Sequence, residues 1–76
     1  MKNTTTGLTE TLLETMDVQN FIKNIREFDV VTQKQCLLRA RRELLRPRIS
    51  SLHGPEMTKN ALTAIRAALD NTGAQN

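Results

Sequence analysis

The chain has 76 residues, 38% of them apolar, with a net charge of +3 and one cysteine. A core this small supplies only about 3–5 kcal/mol, so a disulfide, a metal or a second subunit is expected to support it. One cysteine excludes an intrachain disulfide, and Cys36 and His53 are too few soft ligands for a zinc site. The chain is therefore predicted to associate as a homodimer, with no metal and no cofactor.

The chain divides into two polar ends and one helical region. Residues 1–7 are rich in Thr and residues 71–76 are short and polar, so these ends are predicted to be a disordered and a frayed tail. No segment shows the period-two alternation of a strand, and no apolar run approaches the roughly 18 residues of a membrane span. Residues 8–70 are therefore predicted to form one all-α domain of three helices. The first residues lack the apolar stretch of a signal peptide, so a cytoplasmic location is expected.

The first helix is predicted from apolar residues that lie mostly three or four positions apart between Leu8 and Phe28. Asp17 can instead cap a separate helix that starts at Val18, because its carboxylate can accept from an N–H of the first turn. One continuous helix and two helices broken near Met16 both fit the sequence.

Two competing signals mark the start of the middle helix. Thr32 and Gln35 match a capping box, and Val31 and Cys36 are spaced to form the hydrophobic staple that accompanies it. Asp29 is an alternative cap that would begin the helix about one turn earlier. The capping box is the predicted start.

The two prolines mark the remaining boundaries. Pro47 is predicted to end the middle helix near Leu45 or Arg46. Pro55 suits the first position of a third helix, which is expected to end just before Gly73. The predicted core of the domain is Phe21, Ile25, Phe28, Leu37, Leu38, Leu44, Leu45, Leu62, Ile65 and Leu69.

The middle helix carries two apolar columns that each repeat every seven residues. The Val30 column is Val30, Leu37 and Leu44, and the Val31 column is Val31, Leu38 and Leu45. Together the columns are wider than the roughly 100° stripe of a helix that packs on one side. Three interpretations follow: one chain covers both columns, one column forms a dimer seam, or the leucine surface opens to capture a partner helix. The residues predicted for self-association are Leu37, Leu38, Leu44 and Leu45.

The same helix carries the positive charge of the chain. Arg39, Arg42 and Arg46, here called the arginine stripe, are spaced i, i+3, i+7 and are predicted to lie opposite the leucines. Residues 32–48 hold six basic side chains and one acidic one, a net charge of +5, whereas residues 8–29 sum to −3. The arginine stripe and Arg48 are therefore predicted to bind a partner protein or phosphates, unless they pair with the acidic first helix or stay solvated.

No catalytic arrangement is apparent, and the protein is not expected to be an enzyme. His53 is placed in a loop, and Cys36 is expected to be a small buried apolar side chain.

The favoured hypothesis is a small regulator or adaptor that binds an acidic surface of a partner protein through its basic helix face. The alternative is a nucleic-acid-binding regulator that contacts backbone phosphates through the same arginines. Sequence-specific readout is not expected, because the connection from Arg46 to Pro55 is too long for a helix-turn-helix and the chain lacks Trp and Tyr. No membrane partner is expected.

Overall fold

The computed structural model describes residues 5–74, and within that range every regular element is an α-helix. The five helices are α1 (Thr5–Thr15), α2 (Val18–Ile25), α3 (Val30–Leu44), α4 (Pro47–His53) and α5 (Pro55–Ala74). The predicted all-α class is confirmed. The prediction of three helices is wrong, because the first one is divided in two and the connection before the last one contains α4.

Met16 breaks the first predicted helix. Its φ angle is 58°, in the left-handed region, and its N–H donates to the carbonyl of Leu12 at 2.6 Å. Asp17 then caps α2, and its Oδ1 accepts from the N–H of Asn20 at 3.2 Å. The break that the Asp17 cap indicated is confirmed, and it lets α1 and α2 each turn an apolar face to the core.

Asp29, and not Thr32, precedes the first residue of α3, so the predicted capping box is wrong. Thr32 is instead the third residue of α3, and its hydroxyl donates to the Asp29 carboxylate at 2.6 Å, which links the cap residue to the first turn. Gln33 also ties the helix start to the preceding turn, since its Nε2 donates to the carbonyl of Phe28 at 2.7 Å. The alternative start, about one turn earlier than the capping box, is therefore the correct one.

Both prolines lie at helix boundaries. α3 ends at Leu44, close to the predicted Leu45 or Arg46, and Pro55 opens α5 as predicted, with Gly54 alone before it. Pro47 also opens α4, a helix that the sequence did not predict. Gly54 has φ 94° and ψ 147°, a conformation that L side chains rarely adopt. A Cβ atom at Gly54 would meet nothing within 4 Å, so the backbone angles alone favour glycine there.

Helix extends further toward both ends than the sequence indicated. α1 begins within the predicted tail 1–7, and α5 continues through Gly73 to Ala74. Residues 1–4 and 75–76 of the predicted tails lie outside the described residues.

The core lies chiefly between α3 and α5, and α1 also packs on α3, while α4 packs on α5. The domain measures 34 × 31 × 17 Å, about two helices thick. Most of the predicted core is buried or packed against the buried residues: Phe21, Ile25, Phe28, Leu37, Leu44, Leu62, Ile65 and Leu69. Leu38 and Leu45 were wrongly placed in the core, since they are 40% and 64% exposed.

Candidate interaction surface on helix α3

Helix α3 has one buried face and one exposed face. Its buried residues are Cys36, Leu37, Ala40 and Leu44. At 3.6 residues per turn these four side chains fall within about 100° of the helix circumference. The side of α3 opposite this arc therefore faces away from the core.

The Val31 column lies on this exposed face. Val31 is 63% exposed, and the two leucines of the column are also exposed. Consecutive members are about 10.5 Å apart along the helix, so the column is about 21 Å long. Within the described residues one chain therefore covers only the Val30 column, and the predicted staple between Val31 and Cys36 is not formed.

The predicted self-association residues are divided between the two faces. Leu37 and Leu44 are buried inside the single chain, so they cannot contact a second copy while the fold is intact. Their predicted role is corrected on that ground. Leu38 and Leu45 remain exposed and available to a partner.

Basic side chains border the Val31 column on both sides. Relative to Leu38, Arg42 lies about 40° around the helix in one direction and Arg41 about 60° in the other. Lys34 lies on the same margin as Arg41. Arg39 and Arg42 are thus on the side of α3 opposite the buried Leu37, as predicted, and Arg42 also flanks an exposed leucine. Arg46 lies beyond the end of α3, in the extended residue that precedes α4, so the predicted continuation of the stripe along one helix is wrong.

The arginines of this face are not neutralised by the acidic side chains of residues 8–29. Arg39 reaches α1, but its Nη1 donates to the hydroxyl of Thr6 at 3.2 Å and not to a carboxylate. The one ion pair between residues 5 and 74 joins Arg46 Nε to Glu43 Oε1 at 3.0 Å, one turn apart in sequence. Arg39, Arg42 and Arg48 are exposed. The proposed internal pairing with the first helix is therefore absent from the described residues.

Arg48 lies on α4 and extends the basic surface beyond α3. Leu52 follows it by four residues, so the two side chains share one face of this short helix. Leu52 is 70% exposed. The pattern of an exposed leucine beside an exposed arginine is thus repeated on α4.

Cys36 lies behind this surface and is buried, as the sequence indicated. Burial raises the pKa of the Cys36 thiol, an effect that the positive charge of Arg39 partly opposes. A thiol held in its protonated form is a poor nucleophile.

His53 is the last residue of α4 and not part of a loop, which corrects the sequence-based placement. Its Nε2 lies 2.6 Å from the carbonyl oxygen of Leu13. Because a carbonyl only accepts, the ring nitrogen donates in this bond. His53 thus contributes a contact between α4 and α1.

Sequence reasoning did not find a cleft of about 710 Å³ between α2, α3 and α5. Its lining includes Gln19, Ile22, Arg26, Leu37 and Asn71. Three separate helices contribute to it and none carries a recognisable motif, so only the packing of the helices reveals it.

Among residues 5–74, no group of three or more His, Cys, Asp or Glu side chains is placed to hold a metal ion. In the same range, no helix combines the length and apolar character needed to cross a bilayer.

The chain matches no protein-family model, no curated protein and no solved structure. The residues of the exposed α3 face are therefore the basis for a functional proposal.

Proposed function

We propose that this protein is a small non-enzymatic regulator or adaptor that binds an acidic surface of a partner protein. The binding residues are the arginine stripe and Arg48. The observation that carries the proposal is the segregation of charge. Residues 32–48 have a net charge of +5, and their arginines are exposed with a single internal ion pair in the described chain.

Several exposed cations on one face act together in a way that a lone surface ion pair does not. A single exposed pair contributes only about 0.2–1 kcal/mol. An array of like charges produces a field that accelerates encounter with an oppositely charged partner and discriminates against wrong ones. The face of α3 and the start of α4 carry such an array.

The Val31 column favours a protein over a nucleic acid. Protein interfaces combine an apolar centre with a polar rim and are enriched in arginine. A phosphate backbone offers nothing that would bury Val31, Leu38 and Leu45, whereas a protein surface does. Nucleic-acid binding through the same arginines is the alternative, and the experiment below separates the two.

The test is capture of partners from a nuclease-treated lysate with tagged protein. The stripe variant is Arg39→Ala/Arg42→Ala/Arg46→Ala. The control variant, Lys23→Ala/Lys59→Ala/Arg66→Ala, removes the same charge from exposed positions of α2 and α5. Circular dichroism establishes that both variants remain helical.

We expect a near-stoichiometric protein band that the control variant retains and the stripe variant loses. Equal capture by both variants would refute a specific role of the arginine stripe. The chain has no Trp and no Tyr, so co-purified nucleic acid gives a conspicuous band near 260 nm. Such a band in the untreated sample, lost with nuclease and with the stripe variant, would establish the alternative.

A further inference from the structure

We infer that the Val31 column is the docking seam for an amphipathic helix of the partner protein, with an apolar ridge bordered on both sides by carboxylates. This inference rests on the proposed function and specifies the chemistry of the partner. It assigns the apolar contacts to Val31, Leu38 and Leu45 and the charged contacts to the basic residues beside them.

The spacing of the column indicates a helical occupant. Val31 and Leu38 lie on α3, and Leu45 follows its last residue with the backbone still in the helical region. All three repeat every seven residues and are exposed. A partner helix with apolar residues at heptad spacing presents side chains at the same interval of about 10.5 Å. Recognition of an amphipathic helix by an apolar strip of this kind is a recurring binding mode.

The basic side chains beside the column determine which charges the partner helix can carry on either side of its apolar ridge. Arg42 lies on one side of Leu38, and Lys34 and Arg41 lie on the other. A partner helix that packs its apolar ridge on the column brings its two flanking rows against these cations. Carboxylates in both rows are attracted, whereas basic side chains there are repelled.

A second copy of the chain does not have the required chemistry. Pairing two α3 helices symmetrically about Leu38 would bring the cations of one copy against those of the other, and Glu43 is the one acidic residue in 32–48. The N-terminal region of a second copy, where residues 8–29 sum to −3, does not fit either. Neither α1 nor α2 exposes a large apolar side chain within the described residues. The occupant is therefore a helix of another protein.

The experiment uses a labelled synthetic helix of about three heptads with Leu at a and d and Glu at e and g. A second peptide has Lys in place of Glu, and a third keeps Glu but has Gln in place of Leu. Fluorescence anisotropy measures the affinity of each for the full chain. Leu38→Ala and Leu45→Ala test the seam, and Met57→Ala is the control because Met57 is an exposed apolar side chain on α5, outside the proposed surface.

We expect the first peptide to bind at least tenfold more tightly than either of the others. Leu38→Ala and Leu45→Ala should each weaken that binding, while Met57→Ala should leave it unchanged. Because these three side chains are exposed, the variants should keep the thermal stability of the wild type.

Three results would refute the assignment of the Val31 column as the docking seam for a partner helix. If the third peptide binds as tightly as the first and both seam variants bind like the wild type, the Val31 column is not the docking seam. The proposal of an acidic partner protein would then still be supported. If neither acidic peptide binds, the seam is wrong, and the lysate experiment decides the proposed function separately. If the wild type sediments as a dimer that Leu38→Ala dissociates, a second copy occupies the column.

Discussion

The Nε2 atom of His53 donates a hydrogen bond to the carbonyl oxygen of Leu13 at 2.6 Å. Leu13 lies in the last turn of α1, where backbone carbonyls have no partner within their own helix. The imidazole of α4 supplies that partner, although the two residues are 40 positions apart. The bond joins the C-terminal ends of two helices that are not neighbours in the chain.

Replacing His53 with Ala should destabilise the domain by about 1–3 kcal/mol, because a half-buried carbonyl loses its donor. His53→Gln is the control, since its amide N–H can replace the imidazole donor. Urea unfolding followed by circular dichroism at 222 nm measures both. Equal unfolding midpoints for His53→Ala and the wild type would show that the bond contributes nothing to stability.

Leu37 and Leu38 are adjacent in sequence, but their replacement by Ala should lower the stability of the domain by very different amounts. Leu37→Ala creates a cavity in the core and should cost about 2–5 kcal/mol. Leu38→Ala removes a partly exposed side chain and should change the free energy of unfolding by about 0.5 kcal/mol or less. Denaturant unfolding of the two variants side by side makes the comparison. A large loss of stability in Leu38→Ala would mean that Leu38 packs inside the fold.

Gly54→Ala should destabilise the junction between α4 and α5 by about 1–3 kcal/mol. The reason is the backbone conformation at Gly54, since an added Cβ would meet no neighbouring atom within 4 Å. Thermal unfolding measures the effect, and Ser51→Ala is a control at a nearby exposed position of α4. An unchanged melting temperature in Gly54→Ala would contradict the left-handed geometry.

The Cys36 thiol should react slowly with iodoacetamide in the folded protein and rapidly in urea. Burial both shields the sulfur and raises the pKa of Cys36, so little thiolate is present near pH 8. The pKa of Cys36 in the folded chain lies above the ordinary value of 9.0, so the unfolded chain loses this proton first as the pH rises. The free energy of unfolding should therefore fall as the pH rises above 9.0. Mass spectrometry of timed alkylation reactions gives the rates. Similar rates in the folded and unfolded chains would contradict the burial of the sulfur.

The hydrogen bond from the Thr32 hydroxyl lowers the pKa of Asp29 below its ordinary value of 3.8. Thr32→Val removes that donor and should raise the pKa of Asp29. The stability that this bond contributes is present above the ordinary pKa and is lost as the pH falls through the folded pKa. NMR titration of the Asp29 carboxyl carbon in both proteins tests the shift. The same titration curve in the variant would rule out the Thr32 hydroxyl as its cause.

Several helix boundaries could be read from the sequence because the chemistry that sets them is local. Pro47 and Pro55 lack an N–H and suit the first turn of a helix, and both open one in the structure. Asp17 caps α2 as its position indicated. The start of α3 could not be decided in this way, because Asp29 and Thr32 are both good caps only three residues apart. Contacts with the preceding turn favour the earlier start.

The candidate site was predicted only in part. Residue type correctly places Arg39, Arg42 and Arg48 at the surface, because arginine side chains are seldom fully buried. In the described chain no carboxylate of residues 5–29 pairs with these arginines. That could not be predicted, since pairing depends on how α1 and α2 are placed against α3.

The seven-residue repeat by itself determined that α3 carries two apolar columns. Both columns consist of one valine and two leucines, so neither is the more apolar, and they lie about 100° apart on the same helix. Only the tertiary structure decided which of them is buried. α5 and α1 pack against one side of α3, so they cover Leu37 and Leu44 and leave Leu38 and Leu45 exposed to a partner.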